Sequence, residues 1–288
     1  MEAAGRCYIY YPSRSDVIKI WNLADIHMMN AACDEDRLRH DIEVIKNDPY
    51  SFWIGGGDYV DYIGYSDKRF DPDAVAPWVS VSDLGRLGQI GLEKCRDVFM
   101  PIRHKCLGLL LGNHEKKHEL MTEHNGWHGW LCKELDVPDL QYSAMFHLTF
   151  YRLTDIDEPT LSFKLKQKNG GTSGWTQTIF AHHGAGYAST PGGKLNRLIR
   201  FMHSFDADVF FCGHVHDDIS KKFIQLSISR DGKSLMEKVK LGTITGSYLR
   251  TYAQGCTTYG EQRGYEPVPL GAVSVTFEPD KMEKWART

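Results

Sequence analysis

Short apolar runs alternate with amphipathic segments between residues 17 and 217, and this alternation predicts strands separated by helices. The runs are rich in β-branched, aromatic and leucine residues and are bounded by turn residues, as is typical of buried strands. The predicted strands in this part are Val17–Leu23, Tyr50–Ile54, Lys105–Leu111, Gln141–Arg152, Leu161–Lys168, Trp175–Ala181 and Val209–Cys212. Strand, helix and strand in succession form a βαβ unit, which indicates parallel pairing in an α/β fold.

The helices predicted between these strands have one apolar face. In Asp34–Asn47, the side chains of Leu38, Ile42 and Ile45 fall on one side, and Asp34 is placed to cap the first turn. The other predicted helices are Asp83–Phe99, which three glycines weaken, Lys116–Leu135 and Gly192–Ser204.

The chain after residue 217 alternates like a β-sheet and has no helical period. We predict strands at Ile219–Ile228, Ser234–Thr245 and Ala272–Phe277, with a Gly- and Tyr-rich loop at Gly246–Pro269. No linker-like stretch or internal repeat interrupts the sequence. The simplest organisation is one domain over residues 1–288, with the strand–helix part at 17–217 and a β-rich part at 218–288.

The composition excludes some classes of protein but does not indicate a function. The chain has 288 residues and a formal net charge of −3, which gives no basic footprint for nucleic acid or for an anionic membrane. Its seven cysteines include no Cys-x-x-Cys pair, which indicates free thiols in a reducing compartment. No signal peptide or membrane span is recognisable, so we expect a cytoplasmic location and no membrane partner.

Polar residues with metal-binding chemistry follow five of the predicted strands. The clusters are Asp25-x-His27, Gly-Gly-Asp58, Gly-Asn113-His114-Glu115, His182-His183 and Gly-His214-x-His216. Residues i and i+2 of an extended segment point the same way, so each Asp/His-x-His pair can aim at one place. Parallel strands collect such residues at their carboxyl ends.

Apart from Glu115, these clusters supply two carboxylates, one amide and up to six imidazoles. This set is too large for one ion and fits two divalent ions about 3.5–4 Å apart, with a carboxylate as the bridge. Nitrogen and oxygen donors without thiolate suit Mn, Fe, Zn, Ni or Co. The sequence therefore predicts a binuclear metal centre.

The five clusters, in this order, resemble the motifs of the calcineurin-like metallophosphoesterase superfamily. The resemblance runs from about Val17 to Asp217, and every motif is intact. It implies a four-layer α-β-β-α sandwich of two mixed β-sheets flanked by helices. It also implies a dimetal hydrolase of phosphate esters.

The resemblance further implies a role for each cluster. The first ion would be held by Asp25, His27 and His216, the second by Asn113, His214 and His182, with Asp58 bridging both. We favour His182 because it directly follows the predicted strand, but His183 stays open. His114 would act as general acid or stabilise the phosphoryl oxygens. Glu115 would orient His114 or a ligand, unless it is only a first-turn helix acid.

The implied reaction is in-line attack on phosphorus by a hydroxide that bridges the two ions. A phosphodiesterase is our first expectation, a phosphomonoesterase the second and a DNA nuclease the third. The alternative from another class is a non-catalytic protein-binding module. The long loop after Asp58 is either a substrate-binding loop or a packed Ω-loop. Its candidates for contacts to the phosphate-ester substrate are Tyr59, Tyr62, Lys68 and Arg69.

Overall fold

The computed structural model describes residues 1–62, 70–122, 126–165, 174–188 and 190–287. The strands are β1 (Glu2–Tyr11), β2 (Ile18–Leu23), β3 (Ser51–Gly55), β4 (Cys106–Leu109), β5 (Ser143–Arg152), β6 (Thr160–Ser162), β7 (Trp175–His182), β8 (Val209–Cys212), β9 (Ile219–Ile228), β10 (Leu235–Ile244), β11 (Val273–Glu278) and β12 (Glu283–Arg287). The helices are α1 (Glu35–Asn47), α2 (Leu87–Phe99), α3 (Asn113–Thr122), α4 (Trp127–Leu135), α5 (Pro191–Ser204) and α6 (Tyr259–Gln262).

These strands form two mixed sheets in the described part of the chain. The larger sheet has the order β6-β1-β5-β7-β8-β10-β9, and β7, β8 and β10 run parallel within it. The smaller sheet has the order β12-β11-β2-β3-β4, in which β2, β3 and β4 are parallel while β11 and β12 complete it in antiparallel fashion.

The two sheets pack face to face, and helices cover both outer faces. The core between the sheets contains Ile20 and Phe52 from the smaller sheet and Ile179 and Phe211 from the larger one, all buried. The outer face of the smaller sheet is covered by α1, α2 and α4, and that of the larger sheet by α5. The predicted four-layer α-β-β-α sandwich is confirmed.

A polar contact ties the two sheets together near the carboxyl ends of β2 and β8. The side-chain amide of Asn22 donates a 3.0 Å hydrogen bond to the carbonyl of Cys212, and the hydroxyl of Thr245 donates to the carbonyl of Asn22. All three residues are buried. The loops that leave these strands therefore begin close together although they come from different sheets.

Several predicted elements need correction. Strands β1 and β12 were not predicted. The predicted helix over Lys116–Leu135 is two helices, α3 and α4, and Gly126, with a φ of +117°, is the N-cap of α4. The helix predicted to begin at Asp83 begins at Leu87 instead. A 3-10 turn precedes it and contains Gly85, the first of the three glycines that weaken the helix prediction. The strand predicted at Leu161–Lys168 is only partly described, and 166–168 lie outside the described residues. In the described part of the chain, no helix combines the length and the apolar character that crossing a bilayer requires.

Candidate metal centre

Polar side chains meet where five strands end. The strands are β2, β3 and β4 of the smaller sheet and β7 and β8 of the larger one. The residues that meet there are Asp25, His27, Asp58, Asn113, His183, His214 and His216. The sequence predicted six of these seven residues as ligands, and named His183 as the alternative to His182.

One group of donors contains Asp25, His27 and His216. His216 Nε2 lies 3.3 Å from Asp25 Oδ1 and 3.4 Å from His27 Nε2. The other oxygen of Asp25 accepts a 2.8 Å hydrogen bond from the backbone N–H of His214. Asp25 Oδ1 is buried without a hydrogen-bond donor among the described residues. Leaving such an oxygen unsatisfied is costly, and a cation at this position would remove the cost.

Asp61 orients the His27 ring. Its Oδ1 lies 3.2 Å from His27 Nδ1, so the ring proton is on Nδ1 and the lone pair of Nε2 faces His216. Asn30 in turn donates a 2.8 Å hydrogen bond to Asp61 Oδ2. A carboxylate behind a metal-binding imidazole fixes its tautomer and raises its basicity. The sequence indicated only that Asp61 lies in the long loop, because no spacing rule connects it to His27.

The second group contains Asp58, Asn113, His183 and His214. The Oδ1 atom of the Asn113 amide lies 2.9 Å from His183 Nε2, 2.7 Å from His214 Nδ1 and 3.1 Å from Asp58 Oδ2. His183 Nδ1 lies 2.7 Å from the carbonyl of Gly56 and therefore holds the ring proton. When Nε2 of His183 carries no proton, it is an acceptor that faces other acceptors.

This second arrangement fits a cation better than a hydrogen-bond network. If the Asn113 amide were turned over, its nitrogen would offer two hydrogens to three acceptors. A divalent ion held by these four residues would accept lone pairs from each of them. The donors are oxygen and nitrogen without thiolate, which suits Mn, Fe, Zn, Ni or Co. Both groups of residues thus fit a metal ion on the chemistry of their donors.

Electrostatics at the site lead to the same conclusion. Burial would raise the pKa of Asp58, but the charges of His183 and His114 outweigh the effect of burial. They hold the pKa of Asp58 well below its usual range. Burial would lower the pKa of His183, but Asp58 Oδ2, 3.3 Å from its Nε2, raises that pKa to about 10. The negative potential here binds a proton at neutral pH, and a divalent cation can take the place of that proton.

Backbone strain is concentrated in the same residues. Asp25, His27 and Asp58 each have a φ of +53°, and His214 and His216 have φ values of +71° and +46°. Few residues other than glycine adopt this left-handed region, at a cost of order 1–3 kcal/mol each. Such strain persists where function requires a fixed side-chain direction. Five of the seven converging residues share it.

Glu115 holds the backbone that presents Asp58. Its carboxylate is fully buried and accepts N–H groups of Asp58, Tyr59 and Gly112 at 2.8–3.0 Å, with a fourth bond from Val60 at 3.2 Å. Gly112 is needed in this contact, because a Cβ there would lie 2.1 Å from the backbone nitrogen of Asp58. Two roles were expected for Glu115: orienting His114 or a ligand, or being only a first-turn helix acid. The structure supports the first role, because Glu115 positions the candidate ligand Asp58.

We expect Glu115→Gln to destabilise the protein by about 2–5 kcal/mol. The substitution replaces one acceptor oxygen by an N–H₂ group and leaves two buried backbone donors without an acceptor, at about 1–3 kcal/mol each. Denaturant unfolding of the metal-free protein measures this loss. Glu119→Gln is the matched control, because Glu119 lies one turn further along α3 and accepts a backbone N–H from His128 outside the site. Equal stability of the two variants would contradict the role of Glu115.

The structure places His183, not the predicted His182, in the second group. His182 is the last residue of β7, and its Nδ1 accepts a hydrogen bond from the N–H of Gly184. Its ring packs 4.7 Å from that of Phe201 in α5, on the outer side of the larger sheet. Burial, together with His183 and His214, lowers the pKa of His182 to about 4, so it is neutral at pH 7.

His114 lies beside the two groups. Its backbone N–H donates a 2.9 Å hydrogen bond to Asp58 Oδ1, and its Nδ1 lies 2.6 Å from the carbonyl of Asp61. Burial would lower the pKa of His114, but the carboxylates of Asp58 and Asp61 outweigh this effect and raise it. His114 lines the cavity in front of the centre.

The four candidates for substrate contact have different outcomes. Tyr59 is fully buried and donates a 2.9 Å hydrogen bond to the carbonyl of Leu110, so its role is structural and the prediction was wrong. Tyr62 lines the cavity and stacks on His118 at 4.5 Å between ring centroids. Lys68 and Arg69 lie outside the described residues.

A cavity of about 1430 Å³ opens in front of the centre. Its far wall comes from the segment after β10, which was predicted as a Gly- and Tyr-rich loop at Gly246–Pro269. Ser247 Oγ and the N–H of Tyr248 both donate to the carbonyl of Asp25, at 2.8 and 3.0 Å. The hydroxyl of Tyr248 donates to Asp41 in α1 at 2.8 Å. This wall is therefore fixed to a candidate ligand.

No protein-family model matches the sequence, and neither does any curated protein sequence. Among solved structures, the chain is similar to a conserved uncharacterized protein of Streptococcus pneumoniae described as a predicted phosphoesterase. The two are 10% identical, the match covers 94% of this chain and 99% of that chain, and the TM-score is 0.33. A TM-score of this size does not transfer a function, so the proposal below depends on the residues of this chain.

Proposed function

We propose that this protein is a metal-dependent hydrolase of phosphate esters, with phosphate diesters as its preferred substrates. The observation that carries the proposal is the arrangement around Asn113 Oδ1, where acceptor atoms of Asp58, His183 and His214 lie within 3.1 Å. A second group, with an unsatisfied oxygen of Asp25, lies beside it. Neighbouring cation sites of this composition are typical of hydrolytic phosphoryl transfer.

The residues divide naturally between two ions. One ion would be held by Asp25, His27 and His216, the other by Asn113, His183 and His214, and Asp58 is the carboxylate available to both. When bound, two divalent ions supply hydroxide near neutral pH and neutralise charge on the phosphoryl oxygens.

The chain's own contribution to the reaction is proton transfer and positioning. Asp58 and Asp61 favour the protonated form of His114, which lines the cavity. A protonated imidazole in that place can donate to the oxygen of the departing alcohol. Asp61 and Glu115 keep the ring of His27 and the turn at Asp58 in position.

Charge in the cavity favours a diester over a monoester. A phosphate monoester carries a second negative charge, which a cationic side chain of the protein normally balances. The cationic side chains that line the described cavity include Lys194, which pairs with Asp217 at 3.2 Å, and Arg250, which pairs with Asp34. Both are already neutralised, and Arg263, which also lines the cavity, lies over the Tyr259 ring. A diester, with one charge at the phosphorus, needs no further cation.

Metal content and hydrolysis of two chromogenic esters test the proposal. The protein is loaded with Mn²⁺ or Zn²⁺, dialysed and assayed with bis(p-nitrophenyl) phosphate and p-nitrophenyl phosphate. We expect two ions per chain and faster turnover of the diester. Faster turnover of the monoester would correct the substrate class. Two bound ions without turnover of either ester would favour the non-catalytic binding module, and failure to bind ions would overturn the proposal.

We expect His114→Ala to lose rate without losing metal. The loss should be about 10²–10⁴-fold for a dialkyl phosphate diester, which must expel a poor alkoxide leaving group, and smaller for bis(p-nitrophenyl) phosphate. An activated leaving group departs as a stable anion and needs little help from an acid. The measurement is kcat for a series of leaving groups, with metal content as the control. A uniform loss across the series would argue against proton donation by His114.

A further inference from the structure

Three tyrosines in the cavity form an aromatic surface that the chemistry at the metal centre does not use. We call Tyr187, Tyr259 and Tyr265 the tyrosine platform. The ring centroids of Tyr187 and Tyr265 are 5.6 Å apart, and those of Tyr259 and Tyr265 are 6.1 Å apart. Tyr187 is 61% exposed and Tyr259 is 56% exposed, so these faces are open to a bound molecule.

The platform is close to the metal centre. Tyr187 lies four residues after His183, so their Cα atoms are no more than about 14 Å apart. Both residues lie in the loop that follows β7, and Tyr187 lines the same cavity as His114 and His216. A group attached to phosphorus at the centre can therefore reach the platform.

Specific contacts hold the platform in place. Arg197 in α5 donates to the carbonyls of Ala185 and Tyr187 at 2.9 and 2.7 Å. The hydroxyl of Thr258 accepts the N–H of Glu261 and caps α6, on which Tyr259 lies. Aromatic rings fixed in this way lose little entropy when a ligand stacks on them.

The composition of the platform favours a planar, polar ligand. Tyrosine faces stack on nucleobases, and the Arg263 guanidinium, 5.3 Å from the Tyr259 ring centroid, adds a second planar surface. Gln262 beside it offers amide hydrogen bonds to a base edge. An aliphatic lipid tail would instead need an apolar groove.

Charge argues for a small ligand instead of a nucleic acid chain. Proteins that follow a polynucleotide backbone do so with a basic groove. Here Lys194 and Arg250 are paired with carboxylates, and the positive charge of Arg263 is outnumbered by Asp71 and Glu266, which also line the cavity. The net charge of the chain is −3. The cavity thus offers stacking without a surplus of positive charge.

We infer that the substrate is a small phosphodiester that carries a nucleoside, whose base stacks on the tyrosine platform. The inference rests on the proposed diester hydrolysis and adds the chemical class of the group attached to phosphorus. The platform residues bind the base and set specificity. They take no part in proton transfer.

Two esters with the same leaving group test this inference. Methyl p-nitrophenyl phosphate and thymidine 5′-(p-nitrophenyl phosphate) differ only in the retained group. We expect kcat/KM to be roughly 5- to 100-fold higher for the thymidine ester, which is the size of one base–aromatic stacking contact. In Tyr259→Leu and Tyr265→Leu the ratio should fall towards one, while Tyr265→Phe should keep it. Tyr252→Leu is the matched control, because Tyr252 is 47% exposed and lies outside this cavity.

The outcomes separate the two proposals. If the metal-loaded wild type hydrolyses neither ester, the proposed function fails. If it hydrolyses both with equal kcat/KM, the function stands and the nucleoside inference is overturned. A thymidine preference that survives both leucine variants also overturns it. Cleavage of single-stranded DNA that exceeds thymidine-ester hydrolysis and falls steeply with salt would show a polynucleotide substrate instead.

Discussion

His183→Ala is expected to abolish hydrolysis almost completely, whereas His182→Ala should leave the rate within about threefold of wild type. The two histidines are adjacent, but neighbouring residues at the end of a strand point to opposite sides. His183 faces Asn113 and Asp58 inside the site, and His182 faces Phe201 on the outer side of the sheet. Removing one ligand costs several kcal/mol of transition-state stabilisation, or about 10²–10⁴-fold in rate.

This pair of variants is its own control for folding. His182→Ala removes ring contacts with Phe201 and Tyr142 and should lower the unfolding free energy by about 1–3 kcal/mol. His183→Ala should bind less metal, measured by elemental analysis after dialysis. If His182→Ala lost the activity and His183→Ala kept it, the assignment of the second group of donors would be wrong.

Asp58→Asn is expected to remove the stabilisation that metal ions give to the folded protein. Asp58 is the carboxylate shared by both groups, and an amide there places N–H₂ among acceptor atoms and removes a negative charge. Ligand at a hundred times its dissociation constant stabilises a protein by about 2.7 kcal/mol. Thermal unfolding with and without Mn²⁺ should show this gain in the wild type and little of it in Asp58→Asn.

The matched control for that measurement is Asp208→Asn. Asp208 also accepts a backbone N–H, from Thr178 at 2.8 Å, but it lies before β8, at the end of the strand away from the site. It should keep the full response to Mn²⁺. A response of Asp58→Asn equal to that of wild type would mean that the ions bind elsewhere.

The positions of most strands along the chain and the location of the candidate site were predictable because they depend on local patterns. Apolar runs such as Val209–Cys212 are buried strands whatever surrounds them, and the polar residues after them must lie at a sheet edge. The strand at Glu2–Tyr11 was missed because its first five residues are exposed, which removes the apolar pattern of a core strand.

The error at His182 has a simple physical origin. We expected the ligand to be the first residue after the strand and ended that strand at Ala181. Pairing with Ser143 on one side and Cys212 on the other extends β7 to His182. His183 is then the first residue after the strand. The expectation that the ligand directly follows the strand was therefore correct, and the predicted strand ended one residue too early. Strand ends depend on neighbours that one segment of sequence does not reveal.

Residues that support the site were the least predictable. Asp61 acts through contacts with residues distant in sequence and has no spacing that distinguishes it from an ordinary loop acid. The supporting role of Glu115 was expected only because the resemblance implied it, and its contact with the turn at Asp58 was not predicted. Ser247 reaches the carbonyl of Asp25 across 222 positions. Such contacts follow from the packing of the two sheets, which only the three-dimensional structure shows.

The smaller sheet joins strands from distant parts of the chain, since β11 at Val273–Glu278 pairs directly with β2 at Ile18–Leu23. During synthesis on the ribosome, β2 therefore emerges long before its antiparallel neighbour. Until translation is almost finished, the backbone amides on one side of Ile18–Leu23 have no partner strand. Chaperones that shield exposed strand edges should consequently act on the nascent chain until β11 docks, and a ribosome stalled before residue 273 should hold a protease-sensitive polypeptide.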